Sequence, residues 1–276
     1  MLILAKASLA LMVSFLISVV FGVALIPILK RMKVKQKVSI FLQKKHKEKD
    51  GTPTMGGLIF IIPTIVSTII LVFMNKIEWT DNLFIIMFVF LTYALLGFID
   101  DYLIIKRNNN EGLTEIQKLL GQLLIAVIFF LIFMKSGRSP VLDIHTLGIK
   151  IDMGWFYGLF ILFVLVASSN AVNLTDGLDG LAGGLSTIAF LAFGIISFGS
   201  TWIIGNQDIG VFCFILVGSL LGFLVYNTHP AKVFMGDTGS LALGATLASV
   251  AILTSHEVTL IVVAGVFVFE TLCSLI

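Results

Sequence analysis

Residues 156–198 read FYGLFILFVLVASSNAVNLTDGLDGLAGGLSTIAFLAFGIISF. The segment begins and ends in long apolar runs, but its middle, residues 169–184, holds two aspartates, two asparagines and four glycines. About 20 apolar residues are enough to cross the hydrocarbon core of a bilayer as a helix. The two runs therefore predict two membrane-spanning helices, and the polar middle predicts a connection with a chemical purpose of its own.

The whole chain has the composition of an integral membrane protein. Its 276 residues are 58% hydrophobic and 12% charged, with a mean hydropathy of +1.07. A soluble domain is roughly half apolar and a quarter charged. Cys213 and Cys273 both lie inside apolar runs, so packing is their simplest role and a disulfide framework has no support. A membrane lipid environment is expected, and a nucleic-acid partner is not.

Hydropathy along the chain predicts an all-α polytopic membrane protein, with a single integral membrane domain over residues 1–276. The apolar runs are continuous rather than alternating, so helices and not strands should cross the membrane. Residues 136–152 have the character of a short hairpin. The last run reaches Ile276 without a cap or a flanking charge, which predicts that the natural chain continues. The nine candidate spans cover residues 3–29, 54–74, 82–99, 118–135, 153–169, 181–199, 209–227, 239–255 and 257–276.

Lysine and arginine predict which ends of these spans face the cytoplasm. Threading the nine spans through a membrane leaves thirteen of these residues on one side, nine of them within residues 30–49, and five on the other. Basic loops remain in the cytoplasm. The N-terminus is therefore expected outside the cell.

Five aspartates fall on the predicted cytoplasmic side, each near a predicted helix end and in an unusual local sequence. One aspartate at a membrane boundary costs little and means little. Five on one face indicate a shared site, because clustered carboxylates repel one another unless a cation neutralises them. Oxygen ligands of this kind suit Mg²⁺ or Mn²⁺, with substrate phosphates completing the coordination. The five are Asp100, Asp101, Asp176, Asp179 and Asp237.

Glycines and lysines accompany these acids. Gly177, Gly236 and Gly239 allow the backbone to approach a ligand closely, and the helices that follow favour phosphate at their N-termini. Simpler interpretations exist for each motif alone: a solvated helix end for the paired aspartates, a headgroup-facing loop for residues 30–49. The DGLDG spacing does not match a calcium-binding loop. The combination is more specific than any single motif.

Four long motifs resemble those of the polyprenyl-phosphate N-acetylhexosamine-1-phosphate transferases. They appear in the family's order, and the resemblance covers roughly residues 20–276. GTPTMGG and DGLDGLA are most similar to the branch of phospho-N-acetylmuramoyl-pentapeptide transferases. The motifs are KHKEKDGTPTMGGL (45–58), GFIDDYLIIKRNNNEGLTEIQKLLGQ (97–122), SNAVNLTDGLDGLAGG (169–184) and NTHPAKVFMGDTGSLALG (227–244).

The resemblance implies a fold, a reaction and a location. The fold would have ten transmembrane helices, nine of them visible here, around a cytoplasmic active-site cleft, and a homodimer is possible. The reaction would transfer phospho-MurNAc-pentapeptide from UDP-MurNAc-pentapeptide to undecaprenyl phosphate, giving lipid I and UMP for peptidoglycan. The location would be the bacterial cytoplasmic membrane, with the active site facing the cytoplasm.

The resemblance also implies roles for individual residues. Asp237 and Asp176 would be the Mg²⁺ ligands, and Asp101 would also hold the cation or its waters. Asp100 would orient or deprotonate the lipid phosphate, and Lys118 and Lys47 would bind phosphate oxygens. The expected catalytic set is Asp100, Asp101, Asp176, Asp237 and Lys118. The expected substrate-binding set is Lys47, Thr52, Asn170, Asn173, Gly177, Leu178, Asp179 and Phe234, with the Phe234 ring stacking on uracil.

Three alternatives stay open at this point. A sister enzyme would transfer GlcNAc-1-phosphate by the same chemistry. An ion-coupled transporter would use intramembrane acids as carriers, although such acids lie nearer the membrane midplane. The third alternative, a structural or scaffold membrane protein, would leave the clusters of aspartates and glycines unexplained.

Overall fold

The computed structural model describes residues 2–32, 52–107, 111–144, 147–199 and 206–275. These residues form ten helices and one two-stranded hairpin, in an order that follows the predicted spans closely. The helices are α1 (Leu2–Arg31), α2 (Leu58–Phe73), α3 (Asp81–Arg107), α4 (Glu115–Lys135), α5 (Phe156–Thr175), α6 (Leu181–Gly199), α7 (Gln207–Asn227), α8 (Asp237–Leu253), α9 (Glu257–Val263) and α10 (Gly265–Leu275), and the strands are β1 (Val141–Ile144) and β2 (Ile149–Asp152).

Six of the helices, α1 and α3 to α7, are long and apolar enough to cross a membrane. Two apolar helices, α2 and α8, are shorter, with 16 and 17 residues. The prediction of an all-α polytopic membrane protein is confirmed. The ninth candidate span is divided between α9 and α10, which meet at Ala264. Gly265, a poor helix former, begins the second of them.

The predicted hairpin over residues 136–152 is present. Strands β1 and β2 pair antiparallel, with Val141 opposite Asp152 and Ile144 opposite Ile149. Asp143 and Lys150 are directly opposite each other and form an ion pair of 3.0 Å across the strands. Opposite charges in this position stabilise a strand pair modestly.

Helix α8 is the centre of the bundle. Every residue from Thr238 to Leu253 is buried, and α3 and α5 pack along its sides. Two glycines allow these helices to approach closely. A Cβ on Gly97 of α3 would lie 2.1 Å from the Asp237 carbonyl oxygen, and a Cβ on Gly244 of α8 would lie 2.3 Å from the Ser168 carbonyl oxygen. Small residues at contacts of this kind are typical of helix packing within membranes.

Helix α3 is longer than the sequence pattern predicted. The apolar run was expected to end at residue 99, but the helix continues for two turns, through YLIIKR, to Arg107. Its last turn holds Lys106 and Arg107, and positive charge is favourable at the C-terminus of a helix. Asp100 and Asp101 therefore lie within the helix rather than at its end, and both are buried.

Candidate active site

The start of helix α8 is capped by a carboxylate from helix α3. Asp101 Oδ2 accepts hydrogen bonds from the Thr238 backbone N–H at 3.0 Å and the Thr238 hydroxyl at 2.6 Å, and Asp101 Oδ1 accepts from the Asp237 backbone N–H at 3.3 Å. The first N–H groups of a helix have no partner within the helix and need an acceptor. Asp101 supplies it from a position 136 residues earlier in the chain, and this contact holds Asp237 beside the acids of α3.

Three carboxylates meet at this junction. Within the described residues, Asp100, Asp101 and Asp237 form one group whose ligand oxygens all lie within 4.8 Å of one another. Asp100 Oδ1 also accepts a hydrogen bond of 2.7 Å from the backbone N–H of Leu113. A Cβ on Gly112 would lie 2.5 Å from the Asp100 carboxylate, so any larger residue at this position would displace the carboxylate or the loop.

Lys118 of helix α4 provides the positive charge. Its ammonium group forms an ion pair with Asp237 Oδ2 and lies 3.4 Å from Asp100 Oδ2. The start of α4 is set by a reciprocal capping box, in which Thr114 and Gln117 each accept a hydrogen bond from the other's backbone N–H. Because that box defines the first turn, Lys118 projects from a fixed point towards the two carboxylates.

Helix α5 contributes a neutral donor to the same aspartate. Asn173 Nδ2 donates to Asp237 Oδ1 at 2.8 Å and lies 2.8 Å from Ser240 Oγ. The two oxygens of Asp237 thus have different partners, Lys118 on one and Asn173 on the other. Side chains from α4 and α5 therefore define the orientation of this carboxylate together.

Asp176 follows directly after α5 and lies near the same group. Burial of its carboxyl raises its pKa well above the ordinary value, the negative charges of Asp237 and Asp101 raise it further, and the backbone N–H of Gly236 acts in the opposite direction. An aspartate that is surrounded by other carboxylates binds a proton strongly when no cation is present. The same environment favours a cation over the proton.

Two loops beside the acids are tied together by Asn227. Its side chain accepts a hydrogen bond from the Gly180 N–H at 3.0 Å and donates to the Val233 carbonyl at 2.9 Å. Asp179 Oδ2 completes the connection, since it accepts from the Ala231 N–H at 3.2 Å and lies 3.0 Å from His229 Nδ1. The DGLDG segment (residues 176–180) and the HPAKVF segment (residues 229–234) therefore form one wall of the site.

Residues 53–57 hold that wall in place through backbone hydrogen bonds. The backbone N–H of Phe234 donates to the Pro53 carbonyl, the Gly56 N–H donates to the Phe234 carbonyl, both at 2.8 Å, and the Gly57 N–H donates to the Met235 carbonyl at 2.9 Å. Gly236 has a positive φ of 75°, and a Cβ there would lie 2.6 Å from Asp101 Oδ2. Glycine at 236 is thus required both by the backbone conformation and by the contact.

The donor set fits a divalent cation of the Mg²⁺ type. Carboxylate oxygens are its preferred protein ligands, and one or two carboxylates with substrate phosphates commonly complete its site. The group of Asp100, Asp101 and Asp237 offers such oxygens within 4.8 Å of one another. The ammonium of Lys118 occupies part of the same space and could turn towards a phosphate when a cation enters.

Comparison with known proteins identifies the family. The model of glycosyl transferase family 4 matches residues 83–255, and signature 1 of the phospho-N-acetylmuramoyl-pentapeptide-transferases matches residues 49–61. The chain belongs to glycosyl transferase family 4. The prediction of family made from the four motifs is confirmed.

Curated relatives place the chain more narrowly within glycosyl transferase family 4. It is similar to the phospho-N-acetylmuramoyl-pentapeptide-transferase of Geobacillus thermodenitrificans, 48% identical over 97% of this chain and 81% of the relative. The Bacillus subtilis protein of the same name is 46% identical over 95% of this chain and 79% of the relative. The Halalkalibacterium halodurans protein of the same name is 46% identical over 97% of this chain and 81% of the relative.

The structure brings most of the expected catalytic residues of this family together at one place. Asp100, Asp101 and Asp237 form one group, Lys118 pairs with Asp100 and Asp237, Asn173 bonds to Asp237, and Asp176 lies close enough to interact with Asp237 and Asp101. The three-carboxylate group contains Asp237 and Asp101, both expected near the cation, together with Asp100, while Asp176 lies outside it. The position of Lys47 lies outside the described residues.

The other expected substrate-binding residues within the described part of the chain are partly exposed or lie in the neighbouring loops. Leu178 is 62% exposed, and Gly177 is also exposed. Asp179 and Phe234 are in the wall described above, and Thr52 precedes the Pro53 contact. Asn170 differs from the others, because its side chain bonds to Gln122 of α4, within the bundle.

Four polar residues of the site were not predicted from the sequence: Gln122, Asn227, Thr238 and Ser240. Thr238 and Ser240 lie in the quoted GDTGS motif, directly after Asp237, and Asn227 begins the quoted NTHP motif. Their polar character inside or beside apolar runs was the available signal. Only the folded structure shows which partner each one has.

Proposed function

We propose that this chain transfers phospho-MurNAc-pentapeptide from UDP-MurNAc-pentapeptide to undecaprenyl phosphate, giving lipid I and UMP in peptidoglycan synthesis. The observation that carries the proposal is the convergence of Asp100, Asp101, Asp237 and Lys118 at one end of the bundle, in a chain of this family. One substrate has a lipid tail and the other is a soluble nucleotide. A charged site at the end of membrane-spanning helices can reach both.

Mg²⁺ is the proposed cofactor. Asp237 and the neighbouring carboxylates of Asp100 and Asp101 would hold it, with Asp176 close to the same cation. When bound, Mg²⁺ would neutralise the donor diphosphate and the departing UMP. The residues around it have their own tasks: Asn173 holds the Asp237 carboxylate in orientation, and Asp101 fixes the start of α8.

The proposed roles of Asp100 and Lys118 follow from their contacts. Lys118 already lies between two carboxylates, so its ammonium is placed to bind phosphate oxygens of the donor. Asp100 is held by the Leu113 N–H and would orient the lipid phosphate or accept its proton. Lys47 and Thr52 would add phosphate contacts.

The nucleotide would bind along the wall formed by the DGLDG and HPAKVF segments. Gly177, Leu178 and Asp179 would contact the uridine, and the Phe234 ring would stack on the uracil. In the cell we place this site at the cytoplasmic face of the bacterial inner membrane, because the basic residues concentrate on that side of the predicted topology. A homodimer is part of the same proposal.

The experiment that tests the function measures UMP release by the purified chain in lipid micelles with undecaprenyl phosphate. UDP-MurNAc-pentapeptide and UDP-GlcNAc are supplied separately, with Mg²⁺ or with a chelator. We expect Mg²⁺-dependent release from the first donor only. Release from UDP-GlcNAc alone would assign the chain to the sister reaction. Solute uptake into liposomes without UMP release would favour the transporter.

The matched variants are Asp237→Asn and Asp152→Asn. The first removes a carboxylate from the cluster and should abolish UMP release. Asp152 lies on strand β2, where its side chain accepts a hydrogen bond of 3.0 Å from the Gly154 N–H, which an asparagine oxygen can also accept. Asp152→Asn should therefore leave the rate unchanged. Near-normal turnover by Asp237→Asn would refute the role given to Asp237.

A further inference from the structure

A second polar layer lies beneath the charged residues, one helical turn further into the bundle. Gln122 is four residues after Lys118 on α4, and Asn170 is three residues before Asn173 on α5. Residues three or four apart lie on the same face of a helix. Each helix therefore presents two polar residues on one face: one to the Asp237 carboxylate and one to the neighbouring helix.

The side chains of Gln122 and Asn170 form a reciprocal amide pair. Asn170 Nδ2 donates to Gln122 Oε1 at 2.9 Å, and Gln122 Nε2 donates to Asn170 Oδ1 at 3.4 Å. Gln122 is 1% exposed. Asn170 Nδ2 also donates to the Val166 carbonyl at 2.8 Å, so both of its N–H groups are engaged.

The amide pair is connected to a third helix. The hydroxyl of Tyr93, a fully buried residue of α3, donates to the backbone carbonyl of Gln122 at 3.2 Å. Gln122 is thereby held from α3 through its backbone and from α5 through its side chain. A change in the rotation or register of α4 would break these contacts, and it would also move Lys118.

We propose that Asn170 and Gln122 are a positioning pair that sets α4 against α5, so that Lys118 and Asn173 reach opposite oxygens of Asp237. Asn170 is then not a ligand of the substrate, because its donors are used within the bundle. This inference rests on the proposed function, since Lys118 matters only if the charged group performs phosphoryl transfer.

The test compares four variants of the full chain: Gln122→Asn, Asn170→Gln, the double variant that exchanges the two amides, and Ser169→Ala. Each single variant changes the length of one side chain and disrupts the pair. We expect kcat to fall by about three- to tenfold, which is the rate ratio that corresponds to the free energy of one hydrogen bond between helices in a membrane. The KM for UDP-MurNAc-pentapeptide should stay the same. The exchanged pair should recover most of the lost kcat.

Ser169→Ala is the control. Ser169 is also buried on α5, but its hydroxyl donates to the Val166 carbonyl of its own helix at 3.0 Å and, among the described residues, forms no hydrogen bond with another helix. Its removal should leave kcat and KM unchanged. Thermal unfolding of each purified variant separates loss of folded protein from loss of turnover, and kcat is expressed per folded chain.

Two results would overturn the inference. A raised KM in Asn170→Gln, with Gln122→Asn behaving as wild type, would make Asn170 a substrate ligand. Wild-type kcat in both single variants would remove any positioning role. Both results need an active wild-type chain, so a wild-type chain that releases no UMP would instead refute the proposed function.

Discussion

Replacing Gly97 by alanine is expected to displace the catalytic end of helix α8. The added Cβ would lie 2.1 Å from the Asp237 carbonyl oxygen, 2.4 Å from its carbonyl carbon and 2.7 Å from the Thr238 nitrogen. All three are backbone atoms, so no side chain can turn away. Since non-bonded heavy atoms rest near 3.5 Å, α3 and α8 must separate by about 1.4 Å at this point. The Asp101 cap on Thr238 would then lengthen beyond hydrogen-bond distance.

The displacement should affect turnover more than stability. A misplacement of about 1 Å in a catalytic group can cost on the order of 100-fold in rate, whereas overpacking in a core costs about 1–3 kcal/mol. We therefore expect Gly97→Ala to lower kcat for UMP release by about 100-fold, with a moderately lower thermal midpoint. The assay uses saturating donor, lipid and Mg²⁺.

Gly265→Ala is the matched control for this experiment. Gly265 begins α10, and apart from its chain neighbours and the adjacent backbone of its own helix, no atom of the described residues lies within 4 Å of the Cβ that it would gain. The alanine also favours the helix. Activity should be unchanged. If Gly97→Ala kept a kcat within about twofold of the wild type while remaining folded, the argument that α3 sets the position of Asp237 would be wrong.

Three further changes test other parts of the structure. Lys118→Met should lower kcat by about 100-fold, as expected for loss of one preorganised charge, and Lys118→Arg should recover only part of it; an unimpaired methionine variant would contradict the role of Lys118. Burial raises the pKa of Asp176, so the folded chain holds this proton more tightly than the unfolded chain and stability should fall as pH rises above the ordinary carboxyl range. In metal-free buffer the thermal midpoint should therefore decrease as the pH rises above about 5, and less so in Asp176→Asn; equal slopes for the two proteins would exclude this cause. Arg138 donates to the Leu253 carbonyl at 2.9 Å and to Asn82, at the end of the bundle remote from Asp237. Arg138→Met should therefore lower the free energy of unfolding by about 1–3 kcal/mol and leave most of the kcat. A large loss of turnover in the folded variant would show that this contact affects the active site.

The helices could be predicted because a bilayer imposes a simple length rule on apolar sequence. Residues 82–99 and 209–227 were recognised as spans from hydropathy alone, and the hairpin near residue 140 from the break between two such spans. The end of α3 was not predictable in this way. Its last two turns mix apolar and basic residues, and hydropathy does not distinguish a helix that leaves the membrane from one that stops there.

The site was predictable as a set of residue types but not as a set of contacts. Aspartates beside glycines indicated a cation and phosphates, because few other ligands need both. The pairing of Asp101 with the start of α8 joins residues 136 positions apart, and no local pattern contains that information. Asn170 shows the same limit: its motif predicts a substrate contact, and only the packing of α4 on α5 reveals that its side chain is hydrogen-bonded to Gln122.

Direct measurement of cation binding tests the central claim, that carboxylates from α3 and α8 form one metal site. Mn²⁺ can replace Mg²⁺ and is counted by electron paramagnetic resonance in the purified, folded chain. We predict about one bound Mn²⁺ per wild-type chain, displaced by Mg²⁺, and loss of this binding in Asp237→Asn but not in Asp152→Asn. Equal Mn²⁺ binding by wild type and Asp237→Asn, or an active wild-type chain that binds none, would contradict the account.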